Sequence, residues 1–145
     1  MSCVFCAIVA GDAPAIRIHE DEDLLAILDI RPFTRGHTLV IPKKHTVDLT
    51  DTPPATLAAM AVLGQRIAQA ARVSGLHADG NNIAINDGKA AFQSVFHLHL
   101  HVVPRHNGDK LSFAKGMLLR RDSDREESGR LLRAALAQLD EAAQD

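Results

Sequence analysis

FQSVFHLHLHVVPR, residues 92–105, has three histidines at alternate positions between bulky apolar side chains. They are His97, His99 and His101, three of the eight histidines in the chain. Successive side chains of a β-strand point to opposite faces, so a strand here puts the three imidazoles on one face, about 6.6 Å apart per two residues. The alternation therefore predicts an amphipathic strand whose polar face is made of imidazole.

Two kinds of chemistry use such a row of imidazoles, and the row alone does not choose between them. Neutral imidazole is the commonest metal ligand, so all three side chains could bind one catalytic ion, although three ligands in line suit tetrahedral zinc poorly. Alternatively, one imidazole attacks an electrophile such as phosphorus while the others bind charge or pass protons. The plain alternative is a solvated strand face with incidental histidines, which three alternating copies of a rare residue disfavour.

Length and composition exclude several classes of function. The chain has 145 residues and a formal net charge of −2, which suits a single domain over residues 1–145 with its own core. It has no basic patch, and its aromatic residues are five phenylalanines, so nucleic acid is not an expected partner. No apolar run is long enough to cross a bilayer, and the N-terminus lacks the basic segment of a signal peptide. We therefore expect a cytoplasmic protein that contacts no membrane.

Hydrophobic periodicity predicts an α+β domain built on an antiparallel sheet. Three short strands come first, ending with HTLVIP at residues 37–42, and a long helix over residues 54–74 follows. Two further strands, NNIAIND and HLHLHVV, precede a loop over residues 106–121 and a C-terminal helix over residues 122–141. The order βββαββα, with mostly short connections, favours an antiparallel sheet over a doubly wound parallel one.

The two cysteines, Cys3 and Cys6, have Cys-x-x-Cys spacing. In a cytoplasmic protein such a pair is more typical of a metal site or a redox couple than of a structural disulfide. A thioredoxin-like pair follows a strand and opens a helix of a βαβ unit, whereas no strand precedes these cysteines. A metal site and a pair of buried thiols in a short helix both remain consistent with this segment.

QSVFHLHLHVV resembles the signature of the histidine-triad (HIT) superfamily, in which three histidines alternate with apolar residues after Gln-Ser or Gln-Thr. The stretches DIRP, GHTLVIPKKH and IAINDG are similar to family motifs in the same order, so the resemblance covers residues 2–105. It implies a HIT-like α+β fold: a five-stranded antiparallel sheet with a long central helix and a C-terminal helix. It also implies a bacterial nucleotide hydrolase or nucleotidyl transferase without a catalytic metal or organic cofactor.

Carried onto this sequence, the family mechanism makes His99 the nucleophile. The resemblance implies attack on the α-phosphate of a purine nucleotide derivative, either a phosphoramidate or a dinucleoside polyphosphate, and release of AMP from a nucleotidyl-histidine intermediate. The carbonyl of His97 would hold a proton on Nδ1 of His99, and His101 would contact the phosphate or leaving group. The alternative function is a nucleotide-binding regulatory protein with weak or vestigial catalysis, which has no need of the nucleophile.

The resemblance also assigns the nucleotide contacts. Asp29 matches the carboxylate that accepts hydrogen bonds from both ribose hydroxyls, although Asp is also a common turn residue. The polar residues expected near the ribose and phosphate are Asn86, Gln93, Ser94 and His37. The apolar residues expected around the base, or else in an ordinary core, are Phe5, Ile8, Ile27 and Ile30.

Related bacterial proteins complete the Cys-x-x-Cys pair with two histidines, which correspond here to His45 and His97. The resemblance thus implies a closed tetrahedral structural zinc site made of Cys3, Cys6, His45 and His97. This division gives the first triad histidine to zinc and leaves the other two for chemistry. The family usually forms a two-fold homodimer that pairs central helices and edge strands, so a second copy of the chain is the other expected partner.

After the triad, the sequence PRHNGDKLSF departs from the branch of the family whose C-terminal segment contains a tryptophan. The leaving group therefore stays open: an amine, a second nucleotide or another group. Within and beside the predicted loop, Arg105, His106 and Lys110 are candidates for contact with a polyphosphate.

Overall fold

The computed structural model describes residues 2–145, which form one sheet with helices against both faces. The strands are β1 (Arg17–Glu20), β2 (Leu24–Leu28), β3 (Thr38–Pro42), β4 (Gly80–Ile85) and β5 (Leu100–Arg105). The α-helices are α1 (Val4–Ala10), α2 (Pro54–Val73), α3 (Lys110–Leu119) and α4 (Arg125–Ala142), and a short 3-10 helix spans Lys89–Ala91. The strand order is β1-β2-β3-β5-β4 with every neighbouring pair antiparallel, which confirms the predicted α+β class and five-stranded sheet.

Strand β5 lies between β3 and β4, so His101 is flanked by a strand on each side. The strand begins at Leu100, three residues later than the HLHLHVV segment predicts, because the preceding backbone bonds elsewhere. The N–H of Leu98, for example, donates to the carbonyl of Thr46 at 2.8 Å. The predicted alternation nevertheless holds, since both leucines of the segment are buried in the main hydrophobic cluster and the histidines are not part of it.

Helix α2 covers one face of the sheet with the stripe that its sequence predicts. Met60, Leu63 and Ile67 are buried there, and each contributes about 1.5–3 kcal/mol of hydrophobic stabilisation. Gly64 allows the close approach of helix and sheet, because a Cβ at this position would lie 2.9 Å from Cδ2 of Leu100. The stripe therefore packs against β5 on the face away from the histidines.

The opposite face of the sheet is covered by α1. Phe5 and Ile8 of this helix pack on Leu25, Ile27 and Ile41 of the sheet. Because α1 has only seven residues, it does not close this face, and a cavity is left between α1, β2 and the segment before β5.

The prediction of a loop over residues 106–121 is wrong, because α3 occupies Lys110–Leu119. No residue of α3 is buried, so it has no apolar stripe that a sequence pattern would reveal. Its N-cap residue, Asp109, makes no side-chain cap, since its carboxylate binds Arg105 instead. Helix α4 begins at Arg125, three residues later than predicted. No helix within residues 2–145 has the length and apolar character needed to cross a membrane.

Candidate active site

A cavity of about 280 Å³ joins an apolar wall to a group of polar side chains. The apolar wall includes Phe5, Ile8, Ile27 and Leu39. The polar residues that line the cavity include Asp29, Ser94, His99 and His101. An apolar slot with a few convergent polar groups is the usual form of a small-molecule site. The sequence predicted most of these residues and did not predict Leu39.

The ring of His99 is held in one tautomer. Its Nδ1 lies 2.8 Å from the carbonyl oxygen of His97, so Nδ1 carries the proton and donates it. Nε2 is then bare, with its lone pair available. The ring is only 6% exposed, and it packs edge-on against Phe5 with 5.1 Å between the ring centroids. Burial lowers the pKa of His99 below its ordinary value, which keeps the ring neutral at pH 7.

A chain of hydrogen bonds fixes the tautomers of two further histidines. The N–H of Phe33 donates to Nδ1 of His37 at 3.0 Å, which leaves the proton of that ring on Nε2. This Nε2 lies 2.9 Å from Nδ1 of His101 and donates to it. The proton of His101 is therefore on Nε2, a buried atom with no hydrogen-bond partner among the described residues. The ring lines the cavity, and this N–H is a buried donor without a partner among the described residues.

The imidazole rings of His37 and His101 are neutral over a wide pH range. Burial, with the positive charge of Arg120 as the next cause, lowers the pKa of His37 to about 3. Burial and the neighbouring His37 likewise lower the pKa of His101 to about 3. At neutral pH, Nε2 of His37 therefore remains the donor and Nδ1 of His101 the acceptor of the hydrogen bond between them.

Asp29 follows directly after β2 and lines the cavity. Its Oδ1 accepts a hydrogen bond from the N–H of Arg31 at 2.8 Å, which fixes the side chain in a local turn. Its Oδ2 lies 3.7 Å both from Nε2 of His37 and from a guanidinium nitrogen of Arg120, too far for a hydrogen bond. This oxygen can therefore accept a hydrogen bond from a ligand.

Three of the predicted nucleotide contacts do not line the cavity. Gln93 is 4% exposed, and its amide accepts from the N–H of Gly88 and donates to the carbonyls of Val47 and Val95. It therefore fixes the loop that carries Ser94. His37 lies behind His101, and Asn86 follows β4 as a half-buried residue outside the cavity lining. Ile30 does line the cavity, with 69% of its surface exposed.

Cys3, Cys6, His45 and His97 converge at a second site, close to the cavity. Nδ1 of His97 lies 3.5 Å and 3.6 Å from the sulfur atoms of Cys3 and Cys6, and Nδ1 of His45 lies 3.3 Å from the sulfur of Cys6. Tetrahedral zinc with bonds of about 2.0–2.3 Å separates its ligand atoms by about 3.3–3.8 Å. Nε2 of His97 bonds to the carbonyl of Pro42 at 2.7 Å, so its Nδ1 is bare. The donor set therefore fits a zinc ion.

The hypothesis that all three triad histidines bind one ion is wrong. His97 turns its bare nitrogen to the cysteines, whereas His101 belongs to the hydrogen-bonded chain with His37. Asp29, His37 and His101 form a second cluster of metal-ligand types. Metal binding there would need a bare Nε2 on His37, but that atom carries the proton because the N–H of Phe33 occupies Nδ1.

The predicted polyphosphate contacts do not line the cavity, which corrects that expectation. Arg105 binds Asp109 through two nitrogens, and His106 bonds to a carbonyl near the end of α2. Together with Lys110 they line a separate polar cleft. The cation from this segment that lines the cavity is Arg120, which the sequence reasoning missed because no motif marks it. A basic residue at the end of a helix is the only signal, and that helix was not predicted.

A family model described as the HIT domain matches residues 10–108. The chain belongs to the HIT family. An uncharacterized HIT-like protein of Mycobacterium tuberculosis is 74% identical to this HIT protein over 145 residues, the whole of both chains. The adenylylsulfatase HINT3 of Arabidopsis thaliana is 42% identical over 109 residues, which are 75% of this chain and 55% of that relative.

Among solved structures, a Zn-bound histidine triad family protein from Mycobacterium smegmatis is similar to this HIT protein over nearly its whole length. The TM-score is 0.91 and the sequence identity 83%, and the match covers 98% of each chain. The two chains therefore share one fold, and the relative binds zinc.

Proposed function

We propose that this HIT protein hydrolyses or transfers nucleotides through a covalent nucleotidyl-histidine intermediate on His99. The observation that carries the proposal is the bare Nε2 of that ring, held by the 2.8 Å bond from its Nδ1 to the carbonyl of His97 and lining the cavity. A neutral imidazole nitrogen is a good nucleophile toward phosphorus. Membership of the HIT family and similarity to an adenylylsulfatase support a hydrolase in general terms.

In the first step, the Nε2 lone pair of His99 forms a bond to the α-phosphorus and the bond from phosphorus to the leaving group breaks. An amine leaving group takes up a proton from solvent as it departs. The N–H on Nε2 of His101 donates a hydrogen bond to the phosphoryl or leaving-group atom on which negative charge develops. In the second step, water forms a bond to phosphorus, the P–N bond breaks, and the lone pair returns to His99. The proton of that water passes to solvent, and the nucleoside monophosphate is released.

We assign the rest of the cavity to binding of a purine nucleotide, with AMP as the product. Oδ2 of Asp29 would accept from the ribose hydroxyls, and Ser94 would donate to the phosphate. The apolar wall with Phe5 and Ile8 would hold the base. Phosphoramidates and dinucleoside polyphosphates are the substrates we expect, and the adenylylsulfatase relative extends the class to adenylyl sulfate. Gln93 and His37 would act indirectly, by holding the loop and His101.

We propose that Cys3, Cys6, His45 and His97 bind one structural zinc ion. The fit of the four ligand atoms and the Zn-bound relative support this assignment. When bound, such an ion cross-links the chain and leaves no coordination position for a substrate. It would tie α1 to the segment before β5.

We also propose that two copies of the chain form a homodimer and that the protein acts in the cytoplasm. Strand β4 is an edge of the sheet, and Ile83 on it and Val62 on α2 are both exposed. An unpaired edge strand with exposed apolar side chains is suited to pairing with a second copy.

The proposed chemistry is tested by His99→Ala, because it removes the nucleophile and leaves most of the cavity wall. We expect kcat for adenosine 5′-phosphoramidate to fall at least about 1000-fold, since no other group supplies the covalent path. AMP affinity should change by less than about fivefold. The matched control is His19→Ala, a change of the same type outside the cavity. Turnover by the His99 variant within tenfold of wild type would refute the proposal, and wild-type binding without turnover would indicate a regulatory nucleotide-binding protein.

A further inference from the structure

Arg120 is the first residue after α3, and its side chain lines the cavity together with Asp29, His99 and His101. Nothing in the sequence motifs assigns it a role. Its charge reaches the catalytic groups, because it is among the causes that lower the pKa values of His37 and His101. The side chain is therefore part of the electrostatic environment of the site.

The guanidinium of Arg120 makes a hydrogen bond at one end only. Its Nε–H donates to the carbonyl of Arg31 at 2.9 Å, and its central carbon lies 4.4 Å from the centroid of the Phe33 ring. One terminal nitrogen forms an ion pair with Oδ2 of Asp29 at 3.7 Å, a distance too long for a hydrogen bond. The two terminal nitrogens thus have no hydrogen-bond partner among the described residues. They are donors fixed in position beside a cavity, and a planar fork of this kind suits an oxyanion.

The end of helix α3 fixes where the side chain of Arg120 begins. Arg120 has φ 50°, in the left-handed region that favours glycine, and its N–H closes α3 on the carbonyl of Gly116. Gly116 in turn lies so close to the carbonyl of Phe33 that a Cβ would overlap it. Helix α3 is thereby fixed at the distance at which Arg120 reaches the cavity.

We propose that Arg120 binds a second oxyanion of the substrate, a phosphate or sulfate in addition to the α-phosphate. This inference rests on the proposed function, because it specifies which nucleotides that site selects. The charged residues that line the cavity are Asp29, Arg31 and Arg120, so positive charge exceeds negative charge by one. Nucleotides whose leaving group is phosphate or sulfate, or whose ribose carries a phosphate, can use the free guanidinium nitrogens. A simple phosphoramidate offers them no second oxyanion.

The test compares substrates with and without the second oxyanion. Arg120→Gln should lower kcat/KM for adenosine 5′-phosphosulfate about 10- to 100-fold more than it lowers kcat/KM for adenosine 5′-phosphoramidate, because a bidentate charged contact is lost only with the first. Arg120→Lys should recover part of the loss, since it keeps the charge without the fork. Arg121→Gln, an exposed arginine one residue later that does not line the cavity, is the matched control and should change neither value.

A second part of the test, the binding arm, measures nucleotide affinity and shows whether the oxyanion belongs to the ribose or to the leaving group. If a ribose phosphate is the partner, Arg120→Gln lowers the affinity for adenosine 3′,5′-bisphosphate relative to AMP while the ratio of the two kcat/KM values stays constant. If both ratios stay within twofold of wild type in a folded Arg120→Gln protein, the proposal is wrong. Circular dichroism and the Tm of each variant show that it is folded. If wild type hydrolyses neither substrate, the proposed function fails, and the binding arm still tests Arg120.

Discussion

At the scale of single residues, hydrogen bonds to the backbone determine which ring nitrogen carries the proton in His97, His99 and His37. The carbonyl of Pro42 takes the Nε2–H of His97, and the carbonyl of His97 takes the Nδ1–H of His99. The N–H of Phe33 occupies Nδ1 of His37. The backbone therefore leaves a bare Nδ1 on His97 beside the cysteines, leaves a bare Nε2 on His99, and makes His37 a donor to His101.

The buried pair of His37 and His101 makes stability depend on pH. Both pKa values fall from 6.5 to about 3 on folding, so the unfolded chain binds more protons between these pH values. The stabilisation is complete above pH 6.5 and is lost as pH falls toward 3. We expect the free energy of unfolding to drop by about 1 to 3 kcal/mol from this pair between pH 6.5 and pH 5, since one group contributes at most about 1.4 kcal/mol per pH unit.

Urea unfolding at pH 7, 6 and 5 measures this dependence. His37→Gln removes one of the two groups and should roughly halve the pair's contribution to the loss between pH 6.5 and 5. His77→Gln, a change at an exposed histidine, is the control and should keep the wild-type slope. An unchanged slope in the His37 variant would contradict burial of a neutral pair.

The sequence motifs indicated several residues that line the cavity. They did not indicate the hydrogen-bond partners and neighbours that these residues have in the folded protein. Asp29, Ser94 and His99 all line the cavity, because each sits in a segment whose pattern fixes its position. Gln93 lies in the same motif, yet its amide makes hydrogen bonds to backbone groups of two other loops. No local sequence pattern reveals these bonds. Arg120 was missed for the opposite reason: a tertiary approach, and not a motif, brings it to the site.

At the scale of elements, the site depends on a short contact between α3 and the loop after β2. None of the α3 residues is buried, and Gly116 lies directly against the carbonyl of Phe33. Phe113 adds an edge-on contact with Phe33 at 6.3 Å between centroids. A helix held by so few contacts is of low local stability and opens more readily than the core.

Gly116→Ala should detach α3 without unfolding the domain. The added Cβ would overlap a backbone oxygen that cannot move aside, and overpacking of this kind costs about 1–3 kcal/mol. We expect faster hydrogen exchange confined to residues 110–120, with α2 unchanged. Gly80→Ala is the control, because no atom lies within 4 Å of a Cβ there. Equal exchange in wild type and Gly116→Ala would show that α3 is not held through this contact.

Elements with a buried stripe could be predicted, and those without one could not. The stripe with Met60 and Ile67 marked α2, and the alternation around the triad marked the centre of the sheet. The start of β5 was misplaced because strand pairing, which is non-local, begins only at Leu100. Helix α3 gave no signal, since none of its side chains is buried.

At the scale of the whole molecule, the cysteine–histidine cluster joins parts of the chain that are far apart in sequence. Cys3 and Cys6 belong to the N-terminal helix, His45 follows β3, and His97 precedes β5. The same His97 supplies the carbonyl that holds His99. A metal ion at this cluster would therefore stabilise both the fold and the position of His99.

Metal analysis of purified protein should find about one zinc per chain. Cys6→Ser should lose the ion and lower Tm by on the order of 10 °C, because metal binding free energy contributes to folding. Ser2→Ala, next to the cluster but without a ligand atom in it, is the control. Wild-type protein without zinc, or a Cys6 variant that keeps both zinc and Tm, would contradict the assignment.

The central claim is that His99 becomes covalently bonded to the substrate's phosphorus. Mass spectrometry of protein quenched during turnover of adenosine 5′-phosphoramidate tests it most directly. We predict a mass increase of one adenylyl group, located by fragmentation on His99 and absent from His99→Ala. Full turnover with no adduct at any quench time, or an adduct on another residue, would contradict the account.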